Sequence, residues 1–274
     1  MVRADMKALL PPALGILLLG SSAQGAEEIT TEEVTYPAGR VKAQAYFASP
    51  KAKGPHPGVL VIHERWGHND YARKRAEMLA ELGYAALAVD MFGDGRKAHD
   101  PRGAATLVLH IRNHQPELAT RFRAALNYLR EREENDPEKI AAVGFDFGGD
   151  VCLQMARNGT VGLDGVAAFH CGLKVRSPNP PISELKARIL VLHGEEDVYT
   201  PPKVVESFKK TMKDLKADLK FVAYPGAMHG FANPEASKIG EKFNIPHVYH
   251  PAAAKASWAE LRTFLQELWE DPAE

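Results

Sequence analysis

The chain has 274 residues, 45% of them hydrophobic and 25% charged, with 34 Lys and Arg against 35 Asp and Glu. This composition provides for a sizeable core and excludes a disordered, fibrous or repetitive protein. A formal net charge of -1 argues against an electrostatic binder of nucleic acid, and no run of about 18 uninterrupted apolar residues is present to span a membrane. The expected partner is a small molecule.

The first residues read as a secretory signal peptide over residues 1–26, with residues 27–274 as one domain. Arg3 and Lys7 precede an apolar stretch from Ala8 to Leu19, and a small, polar run from Ser21 to Ala26 follows. Pro11 and Pro12 interrupt a stretch already too short to cross about 30 Å of hydrocarbon, so no stable membrane insertion is expected after cleavage. Removing Arg3, Lys7 and Asp5 with the signal leaves a net charge of -2 on the mature chain. The expected location is periplasmic or secreted. Export would permit Cys152 and Cys171 to pair, but one falls in a helix pattern and the other at a strand end, where buried free thiols are the expectation. Composition leaves the oligomeric state open.

In chain order, Val41 to Ala48 alternates weakly and predicts an edge strand, and Gly58 to His63 is a short apolar run suited to a buried strand. Helical spacing then covers Asn69 to Leu82, closed by Gly83, and Tyr84 to Val89 predicts another strand. Leu107 to Arg132 is mostly helical. Strands are expected at Ile140–Gly144, Gly165–Phe169, Ile189–Leu192 and Leu219–Tyr224, with helices at Gly148–Ala156, Val204–Leu215 and Ala252–Leu268. This alternation predicts an α/β fold, a mostly parallel sheet with helices on both faces. The Gly-, Pro- and charge-rich segments Gly93–Arg102 and Leu173–Pro181 read as loops at strand ends, where such folds place their sites.

Between a predicted strand and helix lies Val143-Gly-Phe-Asp-Phe-Gly-Gly149, which has the form of a nucleophile elbow. Glycines flank the central residue at minus and plus two because a side chain there would strike the neighbouring strand and helix. The central residue is Asp146, aimed beside a helix N-terminus that favours an anion. Asp197 follows the strand ending at Leu192, and His229 follows the strand ending near Tyr224, 51 and 32 residues further on in turn. Nucleophile, acid and histidine in this order match the chain order of α/β hydrolases, in which the acid fixes the tautomer of the histidine base.

From about Glu33 to the last helix the sequence resembles the dienelactone hydrolase family of α/β hydrolases. The resemblance is carried by Val61-Ile-His-Glu-Arg-Trp-Gly67, Gly83-Tyr-Ala-Ala86, Val89-Asp-Met-Phe92 and the three segments around Asp146, Asp197 and His229. It implies an α/β-hydrolase fold without a cap domain, hydrolysis of a small ester or lactone without a cofactor, and a triad of Asp146, Asp197 and His229. It also implies an oxyanion hole from the backbone N–H groups of Phe147 and Arg65, with Glu64 close to the nucleophile. Trp66 is a candidate substrate wall or indole donor. Arg96 reads either as a carboxylate anchor or as a solvated loop residue. Two departures stand out: family members usually carry Cys where this chain has Asp146, and Asn233 falls in the segment after the histidine where a substrate-binding arginine is expected.

A carboxylate attacking an ester carbonyl would form an anhydride, and the adduct would collapse backwards because carboxylate leaves more readily than alkoxide. Asp146 is better suited to displacement at saturated carbon, as in hydrolases of carbon–halogen bonds and epoxides that share this fold. Those enzymes usually carry a helical cap, for which residues 171–186 are too few. The remaining alternatives are Asp146 as a general base, an inactive binding protein on the hydrolase fold, and a metal held by the carboxylates with His229, His63 or His170.

Overall fold

In the computed structural model, which describes residues 27–174, 182 and 184–270, the apolar runs pair into one eight-stranded sheet. The proposed export segment and residues 175–181 of the second predicted loop lie outside the described residues. In chain order the elements are β1 (Ile29–Ala38), β2 (Val41–Pro50), β3 (His56–Ile62), α1 (Asp70–Ala80), β4 (Ala85–Val89), α2 (Pro101–Asn113), α3 (Gln115–Arg130) and β5 (Asn135–Phe145). There follow α4 (Phe147–Arg157), β6 (Gly165–Phe169), β7 (Arg188–Gly194), α5 (Pro202–Asp214), β8 (Leu219–Tyr224), α6 (Ala236–Phe243) and α7 (Pro251–Trp269). The spatial order is β1-β2-β4-β3-β5-β6-β7-β8. β2 runs antiparallel to both its neighbours, and from β4 to β8 every pairing is parallel.

Alternate residues of the central strands feed two cores. Leu60 and Ile62 of β3 point to the side holding Phe122, Leu126, Val151 and Phe208 from α3, α4 and α5. Val59 and Val61 point to the side holding Ala76, Leu79, Leu261 and Phe264 from α1 and α7. Both faces are therefore covered, which is why these strands read as continuous apolar runs. Among the described residues no helix is long and apolar enough to cross a membrane.

The sequence reading needs three corrections. β2 is not the edge strand, because β1, whose side chains mostly face solvent, pairs along its whole length outside it. The long helical stretch is two helices broken at His114, with Pro116 in the first turn of the second. The first of them starts inside the predicted loop, at Pro101, where Asp100 caps it by accepting from the N–H groups of Arg102 and Gly103 at 2.9 Å each. Cys152 and Cys171 are both buried free thiols, as their positions suggested.

Parallel strands leave their carboxyl ends on one edge of the sheet, and the loops leaving β3, β5, β7 and β8 carry Arg65, Asp146, Asp197 and His229.

Candidate active site

The turn from β5 into α4 forces Asp146 to φ +49° and ψ -112°, a conformation L side chains adopt only when their surroundings hold them there. The surroundings are backbone. A Cβ on Gly144 would lie 2.1 Å from the Gly148 carbonyl oxygen, and one on Gly148 would lie 2.2 Å from that of Ile62. The flanking glycines thus let β3, β5 and α4 close around the turn, and the Asp146 N–H is tied to the Phe169 carbonyl at 3.0 Å.

Asp146 is 5% exposed, and its carboxylate is fully engaged. Arg65 donates to Oδ2 from its backbone N–H at 3.1 Å and from Nε at 2.6 Å, while its Nη2 donates to Oδ1 at 2.8 Å. His229 Nε2 stands 3.2 Å from the same Oδ1, and its Nδ1 is 2.8 Å from Asp197 Oδ2. The three residues read from the sequence as a triad are therefore assembled in one hydrogen-bonded chain. Asp197 is itself oriented by the Tyr199 N–H, which donates to Oδ1 at 2.9 Å.

Alternating charges set the protonation of this chain. Burial works against an ionised Asp146, but the Arg65 guanidinium and His229 outweigh it and hold the carboxyl well below its ordinary range. Burial likewise opposes a charged His229, yet hydrogen bonds and attraction from Asp146 and Asp197 push it up to about 9. The resting site at neutral pH is thus two carboxylates interleaved with two cations. His247, whose ring centroid is 4.8 Å from that of His229, is driven down to about 3 by burial and by the cations facing it, so it stays neutral.

The sequence assigned only the backbone N–H of Arg65 to the site. Its side chain is a bidentate partner of Asp146, 27% exposed, lying over the Tyr199 ring at 5.4 Å. Replacing Arg65 with Gln should lower unfolding stability by about 2 kcal/mol, less than the full cost of orphaning a buried charge because the guanidinium is partly solvated. Denaturant titration of both proteins measures this, and unchanged stability would show that the pair contributes nothing net.

Glu64 does not pair with Asp146. Its carboxylate accepts from Asn233 Nδ2 at 2.7 Å and meets His170 Nε2 at 3.2 Å. Asn233, which the sequence marked only as a missing arginine, therefore has a positive role in anchoring Glu64. His63 spans Glu64 and Met91, its Nδ1 2.6 Å from the Glu64 carbonyl and its Nε2 accepting the Met91 N–H at 3.2 Å, so it is a strand-end hydrogen bonder. Trp66 is buried, stacked on Phe243 with centroids 5.9 Å apart and edge-on to His247 at 6.5 Å. Arg96 donates to the carbonyl oxygens of Gly93, at 3.1 Å, and Phe92, and so braces its own loop instead of offering a free anchor. Phe147 opens α4 directly after Asp146, with its N–H at the helix terminus. Among the described residues no group of three or more His, Cys, Asp or Glu side chains is arranged to hold a metal.

Comparison with known proteins identifies the family. The model of the dienelactone hydrolase family matches residues 43–269. A protein of Saccharolobus solfataricus named "Putative carboxymethylenebutenolidase" is 27% identical, over 86% of this chain and 98% of its own length. The solved structure named m3DLH superposes with a TM-score of 0.82 at 31% identity, covering 88% of this chain and 99% of that one. A dienelactone hydrolase-like promiscuous phosphotriesterase from metagenomic libraries superposes with a TM-score of 0.78 at 32% identity, covering 89% and 99%.

Proposed function

The chain belongs to the dienelactone hydrolase family, and on that premise we propose that it hydrolyses a small ester or lactone through Asp146, Asp197 and His229. The observation that carries this reading is His229, held at Nδ1 by Asp197 and facing Asp146 Oδ1 from Nε2. Because an acyl anhydride on Asp146 would revert, the attacking group is water. It enters by taking the place of one of the contacts between His229, Arg65 and Asp146. His229 Nε2 removes its proton as its oxygen bonds to the substrate carbonyl carbon. The carbonyl electron pair moves to oxygen, which accepts from the Phe147 N–H and from the Arg65 N–H once that group is released from Asp146 Oδ2. Collapse of the adduct breaks the bond to the leaving alkoxide, which takes the proton from His229.

This route needs neutral His229. Since the histidine is pushed up to about 9, kcat/KM should climb with pH and level off above about 9. Replacing Asp146 with Asn removes one of the two attracting carboxylates, so the climb should move to lower pH. Profiles of both proteins on one aryl ester measure it, and a profile flat through this range would remove His229 as the base.

A second reading has its own support. Asp146 Oδ2 rests on the Arg65 N–H while Oδ1 faces His229, the arrangement that suits attack by Asp146 at saturated carbon of a halide or epoxide. The experiment that separates the two is single turnover in ¹⁸O-labelled water. Attack by water on an ester or lactone puts the label in product and none in Asp146; attack by Asp146 puts it in the Asp146 carboxylate. An enzyme that turns over none of these substrates would be a binding protein on a hydrolase scaffold.

The charged, apolar and small-residue order of residues 1–26 supports export, with the mature enzyme acting outside the cytoplasm. The N-terminal mass of the protein recovered from the periplasm or medium tests it.

A further inference from the structure

One turn beyond Asp146, α4 carries a second buried carboxylate that the proposed reaction leaves unused. Asp150 is 6% exposed, and its N–H donates to the Asp146 carbonyl at 3.3 Å. Residues four apart on a helix share a face, so Asp150 sits on the side of α4 below the elbow. Its Oδ2 is paired with Arg112 of α2. Its Oδ1 is buried with no hydrogen-bond partner.

This orphaned oxygen belongs to a residue that lines a cavity of about 640 Å³ between α2, α3, α4 and α5, a size that suits a small organic ligand. The walls are apolar where Phe147, Val151, Leu173 and Phe208 contribute. Phe147, the residue after Asp146, forms part of the cavity wall, and Asp150 lies one helical turn from Asp146, so the cavity adjoins the elbow and a substrate chain following α4 would enter it. A buried acceptor left without a donor is costly, and chains keep one where a ligand completes it.

The surrounding charge decides which donor fits. Among the described residues lining the cavity, Arg112, Lys174 and Lys203 stand against one carboxylate, that of Asp150. An ammonium group entering there would meet an excess of positive charge, whereas a hydroxyl donates to Oδ1 without that repulsion. Asp150, raised by burial to about 6 in spite of Arg112, is largely ionised at neutral pH and accepts.

We propose that this cavity holds the chain of the substrate and that Asp150 Oδ1 selects substrates bearing a hydroxyl group remote from the scissile carbonyl. The inference rests on the hydrolytic reading of the Asp146 site for the substrate's orientation, but the pocket's preference is measurable without turnover. Calorimetric binding of hexanamide and of its 3-, 4-, 5- and 6-hydroxy derivatives to wild type, Asp150→Ala and Asp150→Asn tests it directly. At least one hydroxyamide should bind wild type about tenfold or more tighter than hexanamide. The preference should vanish in Asp150→Ala and be partly restored in Asp150→Asn, whose side-chain oxygen still accepts. Thermal unfolding of each variant checks that the fold persists, and a loss of structure alone would weaken all five amides equally.

Equal binding of the five amides to wild type, no binding of any, or a hydroxyl preference that survives Asp150→Ala would overturn the proposal. The p-nitrophenyl esters of the same acids, assayed in parallel, separate the two readings. A binding preference with no ester turnover retains the pocket and removes the hydrolytic reading, and turnover without a preference does the reverse.

Discussion

Replacing Asp146 with cysteine should raise the turnover of small aryl esters and lactones by about 100-fold or more, because it exchanges attack by water for attack by a positioned thiolate. The backbone of the elbow is set by Gly144 and Gly148 and not by the side chain at its centre, so the thiol would occupy the same strained position. Arg65 would lose its carboxylate partner, and with His229 it would form an electropositive cradle that favours thiolate over thiol. The thioester so formed does not revert as an anhydride does, and water activated by His229 then releases the acid. Initial rates on matched substrates, with a burst of p-nitrophenolate as the mark of an acyl-enzyme, provide the measurement. Wild type outpacing the cysteine variant would instead show that the elbow does not activate a thiolate.

Removing His229 should cost about 10² to 10⁴ in kcat/KM, the usual contribution of a general base, and should abolish the alkaline climb in rate. His229→Ala also has a signature in stability. A histidine raised from 6.5 to about 9 by its two carboxylate partners stabilises the fold fully below pH 6.5, and that contribution disappears as pH rises through about 9. The stability difference between wild type and His229→Ala should therefore be larger below pH 6.5 than above pH 9. Denaturant unfolding on both sides of this window reads it, and a difference independent of pH would mean that the ion-paired state of His229 contributes nothing to folding.

The parts of the fold legible in the sequence were those with a strong local pattern. The parallel strands are buried on both faces, so runs such as Gly58 to Ile62 are continuously apolar, and the elbow glycines are demanded by backbone clashes at about 2 Å. β1 was not legible because most of its side chains are exposed. α6 is eight residues long and has no side-chain cap, so it offers little local signal. Within the site, the order Asp146, Asp197, His229 could be read because each residue follows a recognisable strand. The role of the Arg65 side chain could not be read: its guanidinium meets a carboxylate 81 positions away, and nothing local distinguishes it from the other basic residues. Asn233 and Asp150 were hidden for the same reason, since each acquires its meaning from a neighbour that only the folded sheet brings near.

The outer strand β1 also governs how copies of this chain meet in concentrated solution. A ten-residue strand whose outer edge pairs with no other strand among the described residues offers a template for lateral addition of another chain. Here the edge bears Glu32 and Glu33, held by Arg132 and Arg73 respectively, with Pro37 near its end removing one donor. Two copies docking edge to edge would have to bring these carboxylates together while disturbing the arginines that neutralise them. The strand is thus protected from runaway stacking by its own side chains, and uncharged replacements at positions 32 and 33 would increase its tendency to assemble into insoluble ribbons.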